Sequence, residues 1–316
     1  MLQQRERLAR SKPPSVEWST GPESSWHDHR VASSSDLTKT STLYVSDLDF
    51  TLLRSDAKLS ARTIDVVNEL VDAGGLFTLA SARSYTSAAR VTAGLQLRLP
   101  LITYGGAIRV DPRGGAITDV RPIPPETVGA IIAATANHAH VEPLLFAMLD
   151  DRDRVCWRQA HTTTYVRSFA SARVGDPRLL PLPDWAVLTG APVFYAALIG
   201  EREHIDDLRH SLGPHLTDCF VTVGTDVYNP TQTWFEISSR DATKAAAARR
   251  LKTQFHATQL VVFGDNLIDV PLFEVADHAC AVANAVPELL AIADEVIPSN
   301  DQDGVAAWLT HHVLNR

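Results

Sequence analysis

The chain has 316 residues, enough for two domains or for one domain carrying a large insertion. Apolar residues make up 45% of it and charged residues 21%, the balance of an ordinary globular chain. A net charge of -8 excludes the basic face of a duplex nucleic-acid binder, and no apolar run is long enough to span a membrane.

Residues 1–40 stand apart in composition, as in "SKPPSVEWSTGPESSWHDHRVASSSDLTKTS". This stretch is rich in Ser, Pro and polar groups and holds too little apolar surface to offset its ordering entropy, so it is expected to be a disordered leader. His27 and His29 read there as solvated side chains rather than metal ligands. The leader lacks the apolar core of a secretory signal, and Glu6, Glu17 and Glu23 argue against a transit peptide despite Arg5, Arg7 and Arg10. Cys156, Cys219 and Cys280 lie far apart without a CxxC, which reads as buried free thiols in a cytoplasmic protein.

Order is expected to begin near Thr42, with "TLYVSDLD" as a buried strand. Ser60 can cap a helix carrying Ile64, Val67, Leu70 and Val71 on one face, stopped by Gly74 and Gly75. "LFTLAS" over 76–81 reads as a second strand, Tyr85 to Ala93 as a helix, and "LPLITYGG" over 99–106 as a third strand. This alternation predicts a parallel sheet covered on both faces. Residues 111–233 carry more Pro and aromatic residues, with helices expected near 125–137 and 202–212 and strands in "EPLLFAML", "PVFYAALIG" and "CFVTVG". They read as an inserted α/β domain. The strand-and-helix style returns with a helix over 243–255, the strand "QLVVFGD" over 259–265, the short helix "VPLFEVA", the strand "ACAVAN" and a helix opened by Val286 and Pro287. The expected core is therefore built from 41–110 and 234–316, with 111–233 as a cap.

Ligands of parallel sheets bind beyond the carboxyl ends of the strands. Asp47 and Asp49 follow the first strand, Ser81 the second and Asp265 the "VVFG" strand, with Asp269 one turn later and Lys244 opening a helix. That set suits phosphoryl transfer. One carboxylate can attack phosphorus and a second can move protons. Mg²⁺ binds through one or two carboxylates, and a Lys and a Ser hydroxyl can hold the equatorial oxygens. Each residue also has a plainer use: Asp47 and Asp49 as turn formers, Ser81 as a helix cap, Lys244 and Arg83 as solvated helix residues, and Asp269 as an acid favoured by a helix dipole. Their joint order and types favour a site.

With these residues in view, the sequence resembles the haloacid dehalogenase superfamily of Mg²⁺-dependent phosphatases, and its Cof-like branch in particular, over 42–310. "DLDFTLL" matches a first motif DxDxT, "LASARS" a second, "SRDATKAAA" a third, and "GDNLIDVPLFEVA" a fourth. "SNDQDGVAAWL" is similar to the branch's C-terminal signature. The resemblance implies an α/β fold, a Rossmann-like parallel core with an inserted α/β cap. It implies Asp47 as nucleophile and Asp49 as general acid and base. Mg²⁺ would be held by Asp47, the backbone carbonyl of Asp49 and Asp265, with Asp269 as ligand or support. Ser81 and Lys244 would bind the phosphoryl group, with Arg83 and Asn266 in support. The expected substrate is a small-molecule phosphate ester, plausible as a sugar phosphate. The insertion between the second and third motifs is the branch's cap position, and Asp49 favours phosphate-ester hydrolysis over dehalogenation. Two positions depart from the pattern: Ile268 and Gly105 each stand where the branch usually has Asn. They motivate an alternative, a member that binds a phosphorylated ligand or partner without turnover. A phosphomutase is a third reading, which the cap placement opposes. Arg158, Arg167 and Tyr195 are candidate cap residues near the opening.

Overall fold

The structure is a computed structural model that describes residues 41–136, 138–225 and 231–314. The leader expected over 1–40, with His27 and His29, lies outside the described residues. The chain opens with β1 (Thr42–Ser46), α1 (Ala61–Asp72), β2 (Leu76–Leu79) and α2 (Tyr85–Val91). Next come β3 (Leu101–Thr103), β4 (Ile108–Val110), β5 (Ile117–Val120), α3 (Pro125–Thr135), β6 (Pro143–Leu149) and β7 (Arg152–Arg158). Then follow α4 (Thr164–Ser171), β8 (Leu179–Leu182), β9 (Val193–Gly200), α5 (Arg202–Leu212), β10 (Cys219–Thr225) and β11 (Thr233–Ser239). The chain closes with α6 (Lys244–Gln254), β12 (Gln259–Gly264), α7 (Val270–Phe273), β13 (His278–Val282), α8 (Pro287–Leu290), β14 (Glu295–Ile297) and α9 (Gly304–Leu309).

The core sheet is parallel throughout, in the order β14-β13-β12-β1-β2. Its strands are nearly continuous apolar runs because helices cover both faces, and Leu43, Val45, Leu260, Val262 and Phe263 are fully buried. Ser60 caps α1 by accepting a hydrogen bond from Thr63 N at 3.0 Å, and Val67, Leu70 and Val71 turn inward. Each such side chain contributes roughly 1.5–3 kcal/mol on burial. Gly74, at φ 87°, ends the helix in the left-handed conformation expected of a glycine there. The arrangement places β1, from the start of the chain, between β2 and β12, from distant segments. Their carboxyl ends are therefore neighbours.

The third expected strand behaves differently. β3 touches the core sheet through a single parallel bridge, Ala80 to Ile102, and otherwise pairs with β4 in an antiparallel β3-β4-β5 meander. The reason is the turn over Tyr104–Gly106, where Tyr104 and Gly105 take φ 50° and 64° and reverse the chain. The meander leads into the cap through a bond from Ile123 N to Val193 O at 2.7 Å.

The cap is a six-stranded mixed sheet, β10-β11-β9-β6-β7-β8, antiparallel except where β7 and β8 run together. One face packs on α3 and α5 through Leu145, Leu198, Phe235 and Ile237 against Ile131, Ile205 and Leu208. The other carries Leu144, Phe146, Trp157 and Phe194, which pack with Tyr104 and Ile108 of the meander. β11 pairs with β9 and β10, so residues 234–239, which the sequence reading assigned to the core, are hydrogen-bonded into the cap sheet. The composition of "TWFEISS" alone does not reveal a partner; the antiparallel ladder does.

Candidate active site

Asp47 follows β1 directly, and its N–H still donates to Phe263 O of β12 at 2.9 Å. Beyond it the backbone makes a wide turn over Leu48–Leu52, closed by Leu53 N donating to Leu48 O at 2.8 Å. Phe50 sits at φ 56° inside this turn. Asn284 Nδ2 holds Phe50 O at 2.8 Å and Asn300 Nδ2 holds Leu53 O at 3.0 Å, so the strained turn is tied down from the far end of the chain. The turn separates the two acids. Asp47 is buried, whereas the Asp49 side chain is 38% exposed and faces Arg83.

Lys244 is the first residue of α6, whose cap is Thr243, accepting from Ala246 N at 3.1 Å. Its surroundings overturn the plain reading of a solvated helix residue, for it is only 4% exposed. Lys244 Nζ donates to Asp47 Oδ1 at 2.5 Å and to Asp269 Oδ1 at 2.7 Å. Gly106 fixes where this helix begins. A Cβ there would fall 2.3 Å from both the carbonyl carbon and the oxygen of Thr243, so only glycine permits the approach.

Asp269 has both oxygens in use: one on Lys244, the other accepting from Asp265 N and Asn266 N at 3.2 Å each. It therefore orients both the ammonium and the turn after β12. Asp265 accepts from Thr51 Oγ1 at 2.9 Å. Oxygens of Asp47, Asp265 and Asp269 all lie within 4.8 Å of one another. With all three ionised, the carboxylates would exceed the one ammonium by two buried negative charges, the deficit a divalent cation would meet. The same deficit is visible in the titrations. Burial, and then Asp269, push the Asp47 carboxyl up to about 8 against the pull of Lys244. Burial also raises Asp265, although the Thr51 hydroxyl opposes it. Burial works against the Lys244 ammonium, yet Asp47 and Asp269 outweigh it and hold its pKa above the ordinary lysine value.

Among the other expected residues, Ser81 ends the segment after β2 and is buried, its Oγ accepting from Arg83 N at 3.1 Å. It is not the helix cap; Ser84 caps α2 instead, accepting from Ser87 N at 3.2 Å. Arg83 grips Asp49 with two bonds, Nε to Oδ2 at 2.8 Å and a second guanidinium nitrogen to Oδ1 at 2.6 Å. That bonding raises the already high Arg83 pKa. Asn266 is exposed and caps its own turn, accepting from Leu267 N at 2.7 Å. Of the cap candidates, Arg158 is committed to the buried Glu142, at 3.0 and 2.7 Å. Arg167 is exposed on α4, and Tyr195 lines a cavity of about 200 Å³ that opens beside Lys244. Gly105 and Ile268 line the same cavity.

Two features escape a sequence reading. Thr51 is 1% exposed and orients Asp265; its signal was the Thr of the motif "DLDFT". Glu236, on the cavity wall, had no signal, because it sits in a strand among apolar residues.

A parallel core with carboxylates and a buried lysine at its carboxyl edge, under an inserted mixed-sheet cap, defines a hydrolase of a known architecture. The haloacid dehalogenase-like hydrolase family matches residues 44–309, and the chain belongs to that family. Its cap placement is that of the Cof-like branch. A putative phosphatase of Haemophilus influenzae is 27% identical over 275 residues, covering 84% of this chain and 95% of that protein. The 5-amino-6-(5-phospho-D-ribitylamino)uracil phosphatase YitU of Bacillus subtilis is 22% identical over 278 residues, covering 85% and 97%. A crystal structure from Thermotoga maritima superposes with a TM-score of 0.70 at 26% identity, covering 86% of this chain and 97% of that one.

Proposed function

We propose that the protein is a Mg²⁺-dependent phosphatase that hydrolyses a small phosphorylated metabolite, with sugar phosphates as the leading class, through an aspartyl-phosphate intermediate. The observation that carries this reading is the buried Lys244 bridging Asp47 and Asp269 beside Asp265. In it, Asp47 attacks phosphorus, and Lys244 and Ser81 hold the equatorial oxygens where charge is stabilised. Asp49, taking up a proton as its Arg83 bonds open, protonates the leaving oxygen and then takes a proton from the attacking water. Asp269 and Thr51 position Lys244 and Asp265.

Mg²⁺ would be held by Asp47, the Asp49 carbonyl and Asp265, and it would offset the repulsion between an anionic nucleophile and an anionic ester. The charge deficit among the buried carboxylates supports that assignment. A cytoplasmic setting belongs to the same reading. It is supported by three unpaired thiols, at Cys156, Cys219 and Cys280. Among the described residues no helix is long and apolar enough to cross a membrane.

The test is phosphate release from p-nitrophenyl phosphate and from a panel of phosphorylated metabolites, with Mg²⁺ and with EDTA. Release should require Mg²⁺ and vanish in Asp47→Asn. Activity that survives this substitution unchanged sinks the mechanism, and Mg²⁺-dependent binding without release across the panel would favour the non-catalytic alternative.

A further inference from the structure

The cavity beside Lys244 has two unlike walls. Its core side is formed by Ala82, Gly105, Ile268 and Pro271. Its cap side presents Tyr195, Phe220, Thr222 and Glu236. Strand alternation sets that face. Phe235 and Ile237 of β11 are fully buried in the cap core, so Glu236 between them turns to the cavity. Thr222 stands opposite Glu236 in the β10-β11 register, and Tyr195 reaches it from β9.

Two uncharged donors hold the carboxylate. Tyr195 OH donates to Glu236 Oε1, and Thr222 Oγ1 donates to Oε2 at 2.9 Å. Burial and the neighbouring Glu236 keep the Tyr195 phenol well above its ordinary pKa, so it remains a donor. These bonds orient the charge without neutralising it. A carboxylate has about four acceptor positions, so roughly two remain for a ligand. Among the described residues lining the cavity, Lys244 is the only cation, and it is engaged by Asp47 and Asp269. Gly105 and Ile268 bring no polar side chain to the cavity: Gly105 has none, and Ile268 is apolar and 45% exposed.

We infer that Glu236, held by Tyr195 and Thr222, selects the leaving group: it accepts hydrogen bonds from a hydroxyl- or ammonium-bearing group and rejects one that carries a second anion. This rests on the phosphatase reading above and narrows it to polyol or amino-polyol monophosphates, against phosphorylated acids, bisphosphates and diphosphates. The volume of about 200 Å³ is below the roughly 300–1,000 Å³ of drug-sized sites, which suits a compact skeleton packed on Phe220, Ile268 and Pro271.

The test uses a matched pair, sorbitol phosphate and phosphogluconate, which differ mainly by a terminal hydroxymethyl against a carboxylate. Affinity for each is measured by calorimetry on Mg²⁺-loaded protein in its Asp47→Asn form, and kcat/KM is measured on wild type. Sorbitol phosphate should be favoured on the order of tenfold to a hundredfold, the size expected of one like-charge pair about 6–12 Å apart at protein-surface screening. Glu236→Gln, which keeps an acceptor for one of the two hydroxyls and offers the other an N–H to accept from, should shrink that ratio at least severalfold through the KM of phosphogluconate. Equal treatment of the pair by the wild-type pocket, a preference for the carboxylate, or a ratio unmoved by Glu236→Gln in a variant that melts like wild type each overturns the proposal. The binding arm reads selectivity whether or not turnover occurs. Mg²⁺-dependent release from p-nitrophenyl phosphate separately decides the phosphatase reading.

Discussion

Replacing Lys244 by Met tests the site's electrostatics directly. The ammonium lies 2.5 Å from Asp47 and 2.7 Å from Asp269, and its side chain is 3% exposed. Methionine fills similar space but leaves three buried carboxylates with no cation. Removing one partner of a buried ion pair costs about 3–5 kcal/mol, because the remaining charge stays desolvated. For a chain of this size about 2–4 °C of melting temperature is lost per kcal/mol, so the midpoint in EDTA should fall by roughly 6–20 °C. Two treatments should narrow the gap. Mg²⁺ supplies the missing charge, and mild acid protonates the carboxylates that burial has already raised. The assay is thermal unfolding by circular dichroism of wild type and Lys244→Met at pH 8 in EDTA, repeated with Mg²⁺ and at pH 5. A midpoint within about 2 °C of wild type in EDTA would refute the reasoning, since the carboxylates would then not depend on the ammonium. So would a gap that neither Mg²⁺ nor acid reduces.

Metal binding should be proton-linked. The Asp47 carboxyl, pushed up to about 8, still holds a proton at neutral pH, so apparent Mg²⁺ affinity should rise with pH until that value and then level off. Titration calorimetry in buffers of different ionisation enthalpy should show proton release below pH 8 and little above it. The sign is the same for metal-free stability. A raised carboxyl pKa favours the folded state at low pH and loses that contribution as pH rises from about 4 toward 8, which denaturant unfolding in EDTA would show as a falling midpoint. Gly106→Ala should cost about 3 kcal/mol or more, because φ 118° and the contact with the Thr243 carbonyl forbid a side chain. A loss under 1 kcal/mol in urea unfolding would contradict the close approach. Asp49→Asn removes the proton donor and should lower kcat for alkyl phosphates more than for aryl phosphates, whose leaving group needs no proton. Equal losses on both, read by steady-state kinetics, would place Asp49 outside the acid step.

The position of several candidate site residues at the sheet's carboxyl edge could be read from residue type and order. An acid or hydroxyl following an apolar run marks the carboxyl edge of a parallel sheet, and Asp47, Ser81 and Asp265 each ended such a run. Asp49 and Arg83 were named, but their pairing was not, because the turn over Leu48–Leu52 that separates Asp49 from Asp47 is held by Asn284 and Asn300 from the far end of the chain. Arg158 read as a candidate cap residue near the opening because its partner Glu142, just ahead of β6, is brought to it only by the pairing of β6 with β7.

Periodicity and strand order in this chain already determined an α/β architecture with an insertion, since apolar patterns and capping residues act locally and survive any arrangement of the elements. The tertiary structure alone decided that Lys244 is buried between two carboxylates, that β3 leaves the core for a meander, and that Glu236 faces a cavity. Each of those depends on contacts between segments far apart in sequence. A charge buried or exposed, and a strand face turned in or out, are properties of the neighbour that packs against it.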